Sequence, residues 1–340
     1  MKVARGPRLA EDRGGMTLFR VALFVTLVVG LLALPHTAAP QPPPRVARIG
    51  VLLYGTPADP NFPAFRDGLR DLGYVEGRNV VFEYRFAEAK PERLAGLAAD
   101  LLKQEPHVIF AMGGDVAPFA RAATSTIPIV MGTSNDPVQT QLVSSLARPG
   151  GNVTGVTFIS SDLAAKRLQL LKEIAPAVSR IGILWNPDHA DPEYRETQVT
   201  ARQLALQLHS LEVRRPADFD AAFAAAATAR VEAIVVVSSR LMTLSRSQIT
   251  DFAAKHRIIL VSGWGPWAQH GALLSYGPDL NAIVRHAATQ VDKILKGAKP
   301  GDLPIEQPTK FQLVINTKTA KAFGFTVPPS LLLRADQIIE

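Results

Sequence analysis

The chain has 340 residues, 47% of them hydrophobic and 20% charged, and it has no cysteine. That length predicts about two domains, each able to bury a core without staples, and the missing cysteine excludes disulfides, thiolate metal sites, a cysteine nucleophile and a lipid-bearing cysteine. The net charge of +7 is dispersed, with five basic and two acidic residues in 1–39 and no run of five like charges, which argues against nucleic acid as a partner.

Arg20 is followed by an uncharged run over 21–34. The run is shorter than the about 20 residues a membrane-spanning helix needs. With basic residues before it and small residues at Thr37 and Ala39 behind it, residues 1–39 read as a secretory signal peptide. An uncleaved N-terminal anchor is the alternative. Residues 40–45 form a Pro-rich, extended spacer. The expected location is periplasmic, reached through the signal peptide.

Beyond the spacer, short apolar runs alternate with segments of helical period. A strand is expected over 46–54. A helix follows over 61–72, with Phe62, Phe65, Leu69 and Leu72 on one stripe and Gly73 as its stop. Next come a strand over 80–86, a helix over 91–104 opening on Pro91, a strand over 108–112 and a helix from about 116 to 124. A strand over 127–131, a short helix over 138–146 and a strand over 153–158 complete this half. The βα rhythm implies a parallel sheet covered on both faces.

The rhythm restarts with a helix over 163–174, a strand over 180–185, a long helix over 193–209 and a strand over 211–214. An alanine-rich helix over 218–229, a valine-rich strand over 233–237, a helix over 244–256 and a strand over 258–261 follow. The last pieces are a strand over 272–275, a helix over 280–295, a strand over 312–316 and a helix over 317–323. They are too few for a third core and are expected to return to the two sheets. The expected fold class is therefore α/β, with two doubly wound parallel-sheet lobes joined by a multi-strand hinge. Lobe I takes 46–158 plus about 275–305, and lobe II takes 159–274 plus about 306–340.

Open α/β sheets bind ligands beyond the carboxyl ends of their strands. Those positions hold Tyr54, Thr56, Asp59 and Asn61 after the first strand, and Gly113, Gly114 and Asp115 after the third. Ser134, Asn135 and Asp136 follow the fourth. In the second half the equivalents are Trp185 and Asn186, then Ser238 and Ser239, then Trp264. Hydroxyl and amide groups offer uncharged hydrogen bonds, and glycine lets a ligand approach the backbone. The plainer reading of Ser134, Asp115 and Asp136 is helix capping. Trp185 and Trp264 fit either an aromatic wall or ordinary core packing.

Catalytic motifs are missing from the sequence: there is no Walker A loop, no Gly-x-Ser-x-Gly elbow and no His-Glu-x-x-His. Residues 263–268 fit a Gly-x-Gly-x-x-Ala pattern, but Pro266 and the strand expected at 272 leave no room for the helix it requires. His189 stands near Asp188 and Asp191, which permits a metal site, although a solvated loop is the simpler reading. No enzyme activity, cofactor or metal is expected.

Several segments carry a resemblance. They are Gly-Leu-Arg-Asp-Leu-Gly-Tyr-Val-Glu-Gly-Arg-Asn-Val over 68–80, Ile-Pro-Ile-Val over 127–130 leading to Asp136, Pro137 and Val138, and Leu-Ala-Arg-Pro-Gly-Gly-Asn-Val-Thr-Gly-Val over 146–156. Ile-Leu-Lys-Gly-Ala-Lys-Pro over 294–300, Asp-Leu-Pro over 302–304 and Val-Ile-Asn over 314–316 complete the set. In this order and spacing the chain, over about 46–330, resembles the substrate-binding components of ABC transporters in the tryptophan/tyrosine-binding-like group, with the type 1 periplasmic binding fold. The resemblance implies a monomeric receptor that closes at a hinge on a small polar or carboxylate-bearing solute, with or without an aromatic part, and delivers it to a membrane permease. The chain departs from the group at two cleft segments. Gly113, Gly114 and Asp115 stand where aromatic-amino-acid binders carry a Thr-Pro-Ala-Ala-like stretch, and Ser238-Ser239 where they carry Asp-Asn. The alternatives are a periplasmic ligand sensor for a signalling partner and an exported α/β enzyme.

Overall fold

Strands buried along almost their whole length need cover on both faces. In the computed structural model, which describes residues 46–59, 61–113, 116–158, 163–189 and 192–340, β1 (Ala47–Leu53), β3 (Val108–Met112), β4 (Ile129–Thr133) and β5 (Val153–Thr157) are of this kind. The expected leader over 1–39 and spacer over 40–45, together with Gly114 and Asp115, lie outside the described residues. With β2 (Val80–Phe86) these strands form a parallel sheet in the order β2-β1-β3-β4-β5. Helices α1 (Phe62–Asp71), α2 (Leu94–Leu102) and α3 (Val116–Ala123) connect them.

The second sheet holds β6 (Arg180–Trp185), β7 (Gln207–Glu212), β8 (Ala233–Val236), β9 (Ile259–Ser262), β10 (Leu274–Pro278), β11 (Phe311–Asn316) and β12 (Gln337–Ile339). Its order is β12-β11-β10-β9-β8-β6-β7, parallel except between β10 and β11. Its helices are α4 (Leu163–Ile174), α5 (Glu193–Gln203), α6 (Phe219–Thr228), α7 (Arg240–Leu244), α8 (Arg246–His256) and α9 (Pro266–Gln269). After α10 (Leu280–Leu295) come α11 (Thr317–Phe323) and α12 (Pro329–Leu332). Both sheets reverse direction beside their first strand, β1 in one and β6 in the other, which places a switch point at the carboxyl ends of each.

Each sheet has a buried core on either face. In the first, the Phe65 and Phe110 rings stack with centroids 3.8 Å apart. Helix α10 crosses from the second sheet to join this core through Val284, Ala287, Ala288 and Val291. Gly68 makes that possible, because a Cβ there would stand 2.6 Å from the Arg285 carbonyl oxygen. Asp279 caps α10, its Oδ1 accepting the Ala282 N–H at 3.1 Å. Residues 303–306 then run beside β5, with Thr157 N–H donating to the Glu306 carbonyl at 2.9 Å.

The chain thus passes between the sheets after Phe158, at Asp279 and between Glu306 and Phe311. Three short passages join the two lobes. Residues 46–340 cluster as one unit containing both lobes. The second passage was expected at about 275. It lies a few residues later because β10 stays paired to β11 through Pro278.

Several expected elements differ, among them the strand expected over 211–214, which runs from Gln207 to Glu212. The long helix over 193–209 ends at Gln203, because Ala205 takes a left-handed backbone (φ 53°) and Leu206 N–H closes back on the Ala201 carbonyl at 2.8 Å. That closure is usually made with glycine. Residues 138–146 form turns instead of a helix, with Asp136 Oδ1 holding the Val138 and Gln139 N–H groups and Gln141 left-handed at φ 56°. The helix expected over 244–256 begins at Arg246, and the short helix α7 (Arg240–Leu244) precedes it.

Candidate functional site

Loops at the carboxyl ends of the two sheets meet around a small cavity of about 30 Å³. The first lobe supplies Asn61, Met112, Gly113, Ser134 and Phe158, together with Leu280 and Val284 from the first turns of α10. The second lobe supplies Arg240 and Trp264. The wall is mostly apolar with a few polar groups, the usual make-up of a small-molecule site.

Gly113 ends β3 with φ +123°, a left-handed backbone that favours glycine. A Cβ there would stand 2.9 Å from the Tyr54 Cβ. Its N–H donates to the Gly132 carbonyl at 3.0 Å, tying two neighbouring strand ends together. Asn61 precedes α1, and its Nδ2 donates to Asn281 Oδ1 at 3.2 Å.

Buried side-chain contacts bridge the lobes. Ser134 Oγ lies 2.9 Å from His189 Nε2, and both residues are buried. Asp59 Oδ2 is paired with the Arg240 guanidinium, and both of these are buried too. Asp59 Oδ1 accepts the Asn61 N–H at 3.0 Å. Burial pulls the Arg240 guanidinium below its ordinary pKa, and the Asp59 carboxylate works against that shift.

Arg240 is placed by local chemistry. The apolar run of β8 ends at Val236, and Ser239 caps α7, its Oγ accepting the Met242 N–H at 3.3 Å. The cap sets Arg240 at the first helical position, facing the other lobe. Three side-chain groups of this region are buried with no hydrogen-bond partner among the described residues: Ser238 Oγ, Arg240 Nε and Trp264 Nε1. Buried polar groups are nearly always paired, so such groups mark places where a partner is due.

Behind the second lobe's wall lies a second buried pair, Arg167 with Glu193. Arg167 Nε donates to the Tyr276 carbonyl at 2.7 Å, and Glu193 Oε2 accepts the Ser238 N–H at 3.2 Å. A Cβ on Gly263 would fall 2.5 Å from Arg167 Nη2. This network fixes the ends of β8, β9 and β10 relative to one another.

Of the residues singled out from sequence, Asn61, Gly113, Ser134 and Trp264 line the cavity, and Asp59 and Ser238 lie immediately behind its wall. Ser239 acts as a helix cap. Asp136 caps a turn. Tyr54 is buried, its hydroxyl donating to the Ala89 carbonyl at 3.3 Å. Thr56 is half-buried, its carbonyl accepting the Asp59 N–H at 3.1 Å. Asn135 is buried, its N–H donating to Thr133 Oγ1 at 3.1 Å. Trp185 stacks on Tyr194 at 3.7 Å and donates to Ser210 Oγ, and Asn186 Oδ1 accepts the Asp188 N–H, so neither is among the lining residues. Gly114 and Asp115 lie outside the described residues.

Sequence reasoning missed Arg240, Met112, Phe158, Leu280 and Val284. A lone arginine directly after a valine-rich strand is a signal for the first. The apolar residues look like any other core position. His189, read as a solvated loop residue, is buried against Ser134. Among the described residues no cluster of three His, Asp or Glu side chains could hold a metal ion, and no helix is long and apolar enough to cross a membrane.

Residues 49–339 match the family described as ABC transporter substrate binding protein. A tyrosine-binding protein from Clostridioides difficile is 25% identical over 261 residues, covering 76% of this chain and 74% of that one. A conserved domain protein from Vibrio cholerae has 29% identity and a TM-score of 0.81, covering 86% of this chain and 100% of the other. An ABC domain from Streptococcus pneumonia, solved in complex with L-Trp, has 26% identity and a TM-score of 0.80, covering 86% and 99%. The two-lobed architecture is that of the type 1 periplasmic binding proteins. The chain belongs to the ABC transporter substrate-binding protein family, whose members bind solutes rather than transform them.

Proposed function

We propose that this chain is the exported solute receptor of an ABC importer, capturing a small polar or carboxylate-bearing solute between its lobes and presenting it to a membrane permease. The observation that carries the reading is the inter-lobe cavity, where strand ends of both sheets meet across the Asp59–Arg240 and Ser134–His189 contacts. A solute touching both lobes favours the closed arrangement by its differential affinity for it, so capture needs no chemistry. The relative named as a tyrosine-binding protein and the one solved in complex with L-Trp support a solute with a carboxylate and an apolar body. Export through the leader over 1–39 and action as a monomer belong to the same reading. So does the assignment of Asp59, Asn61, Gly113, Ser134, Ser238 and Trp264 as solute-contacting or cleft-shaping residues.

The test is a thermal-shift screen with amino acids, aromatic acids and short carboxylates, followed by small-angle scattering of the hits. A solute at 100 times its Kd should stabilise the protein by about 2.7 kcal/mol and should reduce its radius of gyration. A screen in which no small solute stabilises the protein, with scattering unchanged throughout, defeats the reading.

A further inference from the structure

Going beyond the solute-receptor reading, in which each copy captures its solute alone, we propose that two copies of this chain associate weakly through the free edge of β2, antiparallel and with the two-fold axis at Tyr84. β2 stands last in its sheet, paired with β1 on one side. On the other side its one bridge among the described residues joins Val80 to Glu76. The Asn79 carbonyl accepts the Ala47 N–H at 2.8 Å, and the Ala87 N–H donates to the Leu53 carbonyl at 2.9 Å. The odd-numbered residues of β2 therefore turn their backbone groups to β1. Phe82, Tyr84 and Phe86 turn theirs outward, a template for a further strand.

The side chains select that strand. Residues 82–86 read Phe-Glu-Tyr-Arg-Phe, with matching ends and with charges that invert about Tyr84. Antiparallel pairing about Tyr84 sets Phe82 opposite the partner's Phe86 and Glu83 opposite the partner's Arg85, each twice. Tyr84 meets its own copy as a hydrogen-bonded pair, in agreement with its outward backbone groups. Glu83 and Arg85 then occupy non-hydrogen-bonded positions, where opposed Cα atoms stand closer, at about 4.5 Å. Opposite charges attract there and like charges repel. Either neighbouring register of the same hydrogen-bond parity sets Glu83 against Glu83 or Arg85 against Arg85. The charge pattern thus favours one register and a second copy as the occupant.

The surroundings fit this pairing. Glu83 is half-buried and has no ion pair among the described residues. Arg85 Nε donates to Asp100 Oδ2 at 2.7 Å, and its Nη1 donates to the outward Tyr84 carbonyl at 2.8 Å. The Nη1 contact blunts the edge in a lone copy. On pairing, the N–H of the partner's Tyr84 takes that carbonyl and frees Nη1 for the partner's Glu83. The half-buried rings of Tyr84 and Phe86 stack with centroids 5.9 Å apart. Phe82 lines an open groove of about 380 Å³ with Pro63, Tyr74 and Val75, and pairing brings the partner's Phe86 beside it. β2 has 7 residues, against about 20–30 a side in a standard interface, so the dimer is weak and forms at high concentration.

The test is sedimentation velocity of the full chain in a concentration series up to about 1 mM. The chain should shift from monomer to dimer. Glu83→Arg and Arg85→Glu should each stay monomeric, because each opposes like charges twice. Mixed in equal amounts they should dimerise again, since every opposed pair then joins a guanidinium to a carboxylate, and unfolded variants could not recover in this way. The chain has no cysteine, so Tyr84→Cys supplies a single thiol and should give a disulfide-linked dimer on mild oxidation. Its opposed Cα atoms lie about 5.5 Å apart, inside the disulfide range of about 4.4–6.8 Å. Val81→Cys should stay unlinked, because its counterpart lies about 20 Å away along the strands at about 3.4 Å per residue. A monomer at every concentration overturns the proposal and leaves the edge to a strand of another protein. A dimer unmoved by Glu83→Arg, a mixture that stays monomeric, or linkage at 81 as ready as at 84 overturns the pairing. None of these results bears on solute capture, which the thermal-shift screen decides separately.

Discussion

Two arginine–carboxylate pairs buried among the described residues differ in what surrounds them. Arg167 and Glu193 are fully buried inside one lobe, and their remaining valences go to the Tyr276 carbonyl and the Ser238 N–H. Arg240 and Asp59 join the two lobes, and Arg240 keeps one buried donor unmatched. A buried pair is stable only when its geometry and its other hydrogen bonds are complete. The first pair meets that condition and acts as a frame for three strand ends. The second falls short of it, because the Arg240 Nε has no partner among the described residues.

The largest expected effect breaks the frame. Glu193→Ala leaves Arg167 buried and uncompensated, and should cost about 3–5 kcal/mol in a urea unfolding series. The double variant Arg167→Met/Glu193→Leu should recover most of that loss, because apolar replacement of a whole buried pair is often near neutral. A double variant as unstable as the single would show that the Ser238 and Tyr276 contacts, rather than the charge pairing, dominate.

Glycine substitutions beside the two pairs sharpen the contrast. Gly263→Ala places its Cβ 2.5 Å from Arg167 Nη2 and 2.8 Å from Ser238 Oγ, inside a network with no slack. Overpacking of this kind should cost about 1–3 kcal/mol. Gly55→Ala places its Cβ 3.2 Å from Arg240 Nη2 and 3.3 Å from Asp59 Oδ2, where the lobes can yield. Its stability cost should stay below about 1.5 kcal/mol, with the change appearing as a larger radius of gyration. Equal stability losses in the two variants would erase the distinction between frame and inter-lobe pair.

Ser134→Ala removes another inter-lobe contact, the bond to His189. A single hydrogen bond of this kind contributes about 1 kcal/mol, so the closing equilibrium should shift about fivefold. A fluorophore pair across the lobes reads that directly, and global stability should barely change.

The frame was far less legible from sequence than the elements it holds. The valine-rich β8 and the buried β3 and β4 declare themselves, since parallel strands covered on both faces carry no polar alternation. The ends are harder. Ala205 closes α5 in a conformation that usually demands glycine, so nothing in its residue type marks the stop. Gly113 and Ser134 could be placed because they follow strands directly. Arg167 and Glu193 could not, because they sit on helices distant in sequence and meet only when α4 and α5 pack. Leu280 and Val284 carry an apolar period that predicts burial without saying that the first turns of α10 face a cleft and the rest a core.

The smallest effect separates the lobes by titration. Tyr74 and Tyr84, both in the first lobe, have hydroxyls pushed up to about 12. Burial is the larger cause for each. Asp292, whose Oδ1 accepts the Tyr74 hydroxyl at 3.0 Å, adds to it for Tyr74, and the charge of Glu76 does so for Tyr84. An unfolded tyrosine ionises near 10, so between about pH 10 and 12 the folded chain holds more protons than the unfolded one. Stability is therefore intact below pH 10 and falls as pH rises through that window. Absorbance at 295 nm should show a late ionisation step that shrinks in Tyr74→Phe and in Tyr84→Phe. Asp292→Asn should lower the Tyr74 midpoint only partway, because burial remains, and should leave Tyr84 unmoved. A full return of Tyr74 to its ordinary value in Asp292→Asn would make the carboxylate, and not burial in the first lobe, the dominant cause.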